Sequence, residues 1–267
     1  MSIVKEKRNR PLWVSLVLLL SLLSIVVAGA SLSGREKIFS EAVVGITPSR
    51  AAVSGDTTTG CVSPEHRADG KILINVPYIS QEGTLPTGCE IVSSTMLLRY
   101  YGINTTAEEL ALRIPRREVR WENGMRTGPH PAEMFAGNPF ASASYGCYAP
   151  VIAELLNREL ENSDLQASAV TGADLNDLIN EQVAQGRPVL IWATMDMKAS
   201  VSGDSWTLDD GSTFTWRKNE HCLVLVGADE QGYYFNDPYQ GNGLVHYDRT
   251  LVEKRYAELG WQAVVVA

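Results

Sequence analysis

The apolar periodicity of this chain changes once, close to residue 187, and that change restricts the folds open to it. Before it, residues recur at helical spacing. In EIVSSTMLLRYYG, Ile91, Thr95, Leu98 and Tyr101 lie about a turn apart and the run stops at Gly102, a helix with a C-terminal glycine. Thr106 and Glu109 are spaced as a capping box that opens a second short helix, to about Ile114. Ala149–Leu160, with Pro150 in its first turn, and Gly172–Ala184, closed by Gly186, are two more. After residue 187 the pattern is strand-like over Pro188–Thr194, Ser205–Leu208, Thr213–Arg217, His221–Gly227, Tyr233–Asn236 and Leu244–Tyr247, with hairpin turns at Asp210-Gly211 and Gln231-Gly232. A helix over Asp248–Leu259 and a strand over Trp261–Val266 close the chain, and Ile72–Tyr78 is a strand ahead of the helices. Helices first and an antiparallel sheet second predict an α+β domain, a helical lobe followed by a β-sheet lobe.

That domain spans residues 71–267, enough chain for one substantial core. Residues 34–70 are rich in Gly, Ser, Thr, Pro and Ala without sustained periodicity and read as a flexible linker. Residues 1–33 read as an address: a basic start, an apolar run from Leu12 to Val27, then Ala28-Gly29-Ala30. This describes a signal peptide, or a signal anchor if it is not cleaved, since the run to Ala30 reaches the roughly 20 residues a bilayer span needs. Either reading predicts that the domain is secreted or stands on the extracellular face of the cytoplasmic membrane. Lys5, Lys7, Arg8 and Arg10 against Glu6 give the first thirty residues +3, leaving −11 for the rest of a chain of net charge −8. An acidic body without a basic stripe is a poor partner for nucleic acid, whose binding draws on Lys and Arg against phosphate. Within the domain, Pro115–Tyr148 has Gly and Pro throughout and reads as a long functional loop, one wall of a binding cleft.

Four residues carry a candidate chemistry. Cys89 opens a helix directly after Gly88, where free backbone N–H groups and the positive end of the helix dipole bias a thiol toward thiolate. His221 opens the apolar run HCLVLVG, and Asp237 ends the next strand, YYFNDP. Adjacent antiparallel strands would set Asp237 beside His221, where a carboxylate orients an imidazole and stabilises its charge. Gln81 lies in the loop feeding the Cys89 helix, placed to donate to an oxyanion together with the Cys89 N–H. Taken singly, each has a plainer reading: a buried thiol, a structural histidine, an Asp-Pro turn and a solvated loop glutamine. The chain order Cys, His, Asp is that of papain-like nucleophilic sites.

The runs VPYISQEGTLPTGCEIVSSTMLLRYYGI and HCLVLVGADEQGYYFNDPYQG, with GPHPAEMFAGNPFASASYGCYAPVI between them, resemble the bacteriocin-processing peptidase family of papain-like cysteine peptidases. The likeness is to its stand-alone exported branch without transporter domains. The resemblance implies a papain-like fold, a peptide or protein substrate, no cofactor, and four roles. Cys89 is the nucleophile, His221 the general base and acid, Asp237 the orienter and Gln81 the oxyanion donor. His130 stands where this branch is expected to carry an acidic residue, a departure that bears on substrate. The same triad also serves cell-wall amidases and acyl or amide transferases, and an inactive cleft could persist as a surface peptide-binding module. If Cys89 is free, at most one pair forms among Cys61, Cys147 and Cys222. With Cys222 on the opposite strand face from His221, Cys61–Cys147 is the pairing that would clasp linker to domain, and the pairing among the three otherwise stays open. No C-x-x-C or H-E-x-x-H spacing supports zinc ligation. Trp192, Trp206, Trp216 and Trp261 read as core or cleft-lining residues, and Trp121 as a loop residue open to substrate.

Overall fold

The computed structural model describes Glu65–His66 and residues 70–267. The address segment, most of the linker and Cys61 lie outside the described residues. No helix among those described is long and apolar enough to cross a membrane.

The chain opens with β1 (Glu65–His66) and β2 (Ile72–Leu73), then α1 (Cys89–Tyr100) and α2 (Ala107–Arg113). Four short strands follow, β3 (Arg116–Arg117), β4 (Arg120–Glu122), β5 (Met125–Thr127) and β6 (Phe135–Ala136). Next come α3 (Ala149–Glu159), β7 (Ala167–Thr171) and α4 (Leu175–Glu181). The second half holds β8 (Val189–Thr194), β9 (Val201–Thr207), β10 (Thr213–Lys218), β11 (Glu220–Ala228), β12 (Gly232–Asp237) and β13 (Gly243–Asp248). It closes with α5 (Arg249–Glu258) and β14 (Gln262–Val266). This is the α+β order expected from the periodicity, and the Thr106–Glu109 capping box forms with both reciprocal bonds.

The main sheet is antiparallel and runs β7, β14, β8, β11, β12, β13. The short β2 joins the far end of β11 at Gly227 and Ala228, and β1 folds back on β2. Glycine is needed at 227, because a Cβ there would come within 2.3 Å of the Ile72 carbonyl oxygen. β8 and β11 are apolar apart from Thr194, Glu220 and His221, and every residue in both is buried. α1 packs on β11 and β8, α3 on β7 and β14, and α5 on β8, β12 and β13.

The stretch expected as a long loop, Pro115–Tyr148, carries four strands instead. β3 and β6 pair with each other, while β4 and β5 join the β9–β10 hairpin in a second sheet. Strands of two or three residues are too short to show a period, so they are invisible in the sequence. This sheet has its own small core, in which Trp206 and Trp216 are buried with Ala136, and Tyr148 stacks on Trp216 at 5.8 Å. The first strand is shorter than expected. Only Ile72–Leu73 sits in a ladder, and beyond it Ile74 N–H donates to the Val226 carbonyl at 2.7 Å. Of the tryptophans, Trp192 is buried as expected, whereas Trp261 is half exposed at a positive φ, in the turn before β14.

Trp206 and Trp121 separate core from surface in this region. Trp206→Ala is expected to lower stability by about 3–5 kcal/mol, and Trp121→Ala, at a side chain 74 % exposed, by no more than about 0.5 kcal/mol. Chemical denaturation of the two variants checks both values.

Candidate active site

α1 begins at Cys89, with Gly88 as a cap that offers no side-chain hydrogen bond. A side chain at 88 would place its Cβ 2.8 Å from that of Leu85, so the turn into the helix admits glycine. Every residue from Cys89 to Leu98 is buried. The hydroxyls in that stretch are therefore matched internally: Ser94 and Thr95 donate to the Glu90 and Ile91 carbonyls, and Ser93 donates to the Cys222 carbonyl at 3.0 Å. The last bond clamps α1 to β11 beside His221.

The pairing of β11 with β12 sets His221 and Asp237 side by side, as the sequence predicts. His221 Nε2 lies 2.7 Å from Asp237 Oδ1, and both side chains are buried. Tyr239 N–H donates to Oδ1 at 2.9 Å and the Asn242 side-chain amide to Oδ2 at 3.0 Å. Burial alone would raise the Asp237 carboxyl, but the His221 bond and charge, with the Asn242 and Tyr239 donors, hold it below the ordinary aspartate range. With Nε2–H committed to Asp237, a neutral His221 presents Nδ1 as an acceptor, and Nδ1 makes no hydrogen bond to any described residue.

Gln81 is buried, and its backbone N–H donates to the Pro238 carbonyl at 3.0 Å, which ties the loop before α1 to the residue after Asp237. Its Nε2 donates to the Pro86 carbonyl at 3.1 Å. A second Nε2 hydrogen remains, and Oε1 has no partner among the described residues.

Cys89 departs from expectation. Its thiol donates to Glu90 Oε2 at 3.4 Å and makes no hydrogen bond to His221. Burial pushes the thiol well above its ordinary value, and the Glu90 and Glu220 carboxyls push it further. These surroundings favour the thiol over the thiolate that a helix N-terminus alone would favour.

Glu90 and Glu220 are the residues sequence reasoning missed. One follows Cys89 and the other precedes His221, and both are buried. Glu90 Oε1 accepts the Cys147 N–H at 2.7 Å, and a Cβ on Gly146 would come within 2.2 Å of that oxygen. Burial raises both carboxyls, and for Glu220 the nearby Glu90 adds to the rise. The available signal was a charged residue set inside each of two apolar runs, CEIVSS and EHCLVLV. Cys147 and Cys222 are buried thiols, and the expected Cys61–Cys147 clasp involves Cys61, which lies outside the described residues.

His130 stands apart from this constellation. Its Nδ1 accepts the Ala132 N–H at 3.1 Å and its ring meets Phe214 edge-on at 5.0 Å. It lines a cavity of about 410 Å³ with Arg117, Glu133, Asp209 and Asp210, which shares no residue with the Cys89–His221 site. His246 pairs with Asp229 at 3.0 Å.

The Asp237 environment fixes a pH dependence. A carboxyl depressed in the folded state adds stability above its unfolded value, about 3.9, and that stability is lost as pH falls through the folded value. The difference in unfolding free energy between the wild-type chain and Asp237→Asn should accordingly be largest above about pH 4 and shrink in more acid solution. Urea titrations at a series of pH values measure it.

Comparison with known proteins identifies the family and the fold. The Peptidase_C39 like family model matches residues 73–264. The uncharacterized protein YvpB of Bacillus subtilis (strain 168) is 28 % identical over 182 residues, 68 % of this chain and 70 % of that protein. The crystal structure of a candidate C39-like peptidase from Bacillus anthracis superposes with a TM-score of 0.66 at 29 % identity, over 74 % of this chain and 98 % of that one. With a papain-like α+β fold and a family match across nearly the whole described domain, the chain belongs to the Peptidase_C39 like family.

Proposed function

We propose that this chain is an exported cysteine peptidase acting through Cys89, His221, Asp237 and Gln81. The observation that carries the reading is the His221–Asp237 pair at 2.7 Å, which leaves Nδ1 without a partner on the strand against which α1 and Cys89 are clamped. Because the resting sulfur is protonated, His221 acts as a general base. The Cys89 S–H bond breaks as sulfur attacks the peptide carbonyl, and the proton passes to Nδ1. Asp237 balances the imidazolium that forms. The Cys89 N–H, at the uncapped start of α1, and the second Nε2 hydrogen of Gln81 receive the developing oxyanion. His221 then returns its proton to the leaving amine, and water hydrolyses the thioester by the same route in reverse.

Peptide libraries incubated with the full-length protein test this directly. Cys89→Ser and His221→Ala should each lower kcat/KM by about three orders of magnitude or more. Gln81→Ala should lower kcat by about 10²-fold or more with little change in KM. Peptide that binds without being cut would replace the peptidase reading with a binding module. Acyl transfer to an added amine in preference to water would replace it with a transferase.

The exported location rests on the basic and apolar order of residues 1–33. In intact cells of its source, added protease should degrade the domain while cytoplasmic markers survive, and a protected domain would refute export.

A further inference from the structure

We propose that Cys89, Glu90 and Glu220 form a site for a thiophilic divalent cation of the zinc class, which caps the sulfur. The three residues are buried, and one ligand atom from each, the sulfur and two carboxylate oxygens, lies within 4.8 Å of the others. Cys89 Sγ and Glu90 Oε2 are 3.4 Å apart. A tetrahedral ion with Zn–S near 2.3 Å and Zn–O near 2.0 Å separates such ligands by about 3.5 Å. The Cys147 N–H bond to Glu90 Oε1 fixes that carboxyl and leaves Oε2 for the ion, the outer support such ligands usually have.

A second, independent observation concerns Glu220. The residue is only 7 % exposed, and its Oε1 has no partner among the described residues. A buried carboxylate oxygen without a donor calls for an unseen partner, and an ion bound to this carboxyl supplies one. The donor set identifies the class. Calcium takes six to eight oxygens, and magnesium holds to octahedral oxygen ligation, whereas one sulfur and two oxygens with an open fourth position for water suit zinc or cadmium. On binding, the Cys89 S–H bond breaks and its proton, with any proton held by the Glu90 and Glu220 carboxyls, goes to solvent; one S–metal and two O–metal bonds form, and nothing is oxidised or reduced. No spacing along the chain announces such a site, because Glu220 comes from a strand far downstream of the adjacent Cys89 and Glu90. Binding stands on the geometry alone. Its consequence, reversible inhibition, rests on Cys89 being the nucleophile, since the ion would occupy the electron pair that attacks.

The experiment titrates zinc, then cadmium, into the full-length, metal-free protein, reading heat of binding and the ultraviolet thiolate-to-cadmium absorption. One ion per chain is expected, with the cadmium band absent in Cys89→Ser. Glu220→Gln should weaken zinc binding by at least about tenfold, while His221→Ala should change it by less than about threefold. The wild-type stoichiometry and band do not depend on any variant folding, and a melting curve for each variant accompanies the titration. No stoichiometric binding, or a wild-type band that persists in Cys89→Ser, would overturn the proposal. So would binding abolished by His221→Ala yet untouched by Glu220→Gln, which would assign the ion to a Cys–His pair. Because no substrate is used, a failed peptidase reading would leave this result intact, and the reverse also holds.

Discussion

The site depends on one packing contact, the first two turns of α1 lying buried along β11. A helix buried on nearly every side must satisfy its own polar groups, and the Ser93 bond to the Cys222 carbonyl does so across the interface. That bond also fixes the helix against the strand next to His221. β11 is held in turn by β8 on one side and β12 on the other, and β12 carries Asp237. The Gln81 N–H bond to Pro238 then brings the loop before α1 to the end of β12. Four residues scattered along the chain are thus positioned by backbone ladders and two cross-links, with little freedom left to any of them.

The same packing brings charge into the interior. Glu90 and Glu220 accompany Cys89 and His221 because they are their chain neighbours. Two carboxylates buried together would repel each other and lose their hydration, so their charged forms are disfavoured. Gly146 and the Cys147 N–H close around Glu90, and Trp192 donates to the Cys147 carbonyl at 2.9 Å, so the segment entering α3 is shaped by this carboxyl. The Trp192 bond ties the second half of the domain to this segment, and the Glu90 bond ties the segment to α1.

Much of the fold and the site could be read from the chain, and the failures have physical reasons. α1, α3 and the β8–β14 strands were readable because each is long enough to show a period, and the capping box at Thr106 is a local signal that needs no tertiary context. Of Cys89, His221, Asp237 and Gln81, a set suggested by papain-like chain order, the structure brings His221 and Asp237 into contact, as adjacent strands predict. The pairings of β3–β6 were not readable, since these strands are two or three residues each, too short to show a period. Trp261 reads as a strand residue yet turns outward at a positive φ. Glu90 and Glu220 were passed over because a lone acidic residue carries no message until its partner is known to be near.

The ionisation of Cys89 shows why position on a helix cannot be read as chemistry. A helix N-terminus stabilises an anion by about 0.3–1 kcal/mol, up to about 2 where the geometry is partly buried. Removing a charged group from water without a matched partner costs several kcal/mol. At Cys89 the nearest side-chain partner is the acceptor Glu90, which adds repulsion instead of a counter-charge. Desolvation therefore wins over the dipole, and the proton stays on sulfur. In the peptidase proposed above, the proton therefore leaves sulfur during attack. In that reading His221 takes the proton, since the Asp237 carboxyl is held below its ordinary range against the imidazole and is placed to stabilise an imidazolium. In the same reading the cost of burying the sulfur is offset at the reacting geometry, where charge appears next to groups already oriented to receive it.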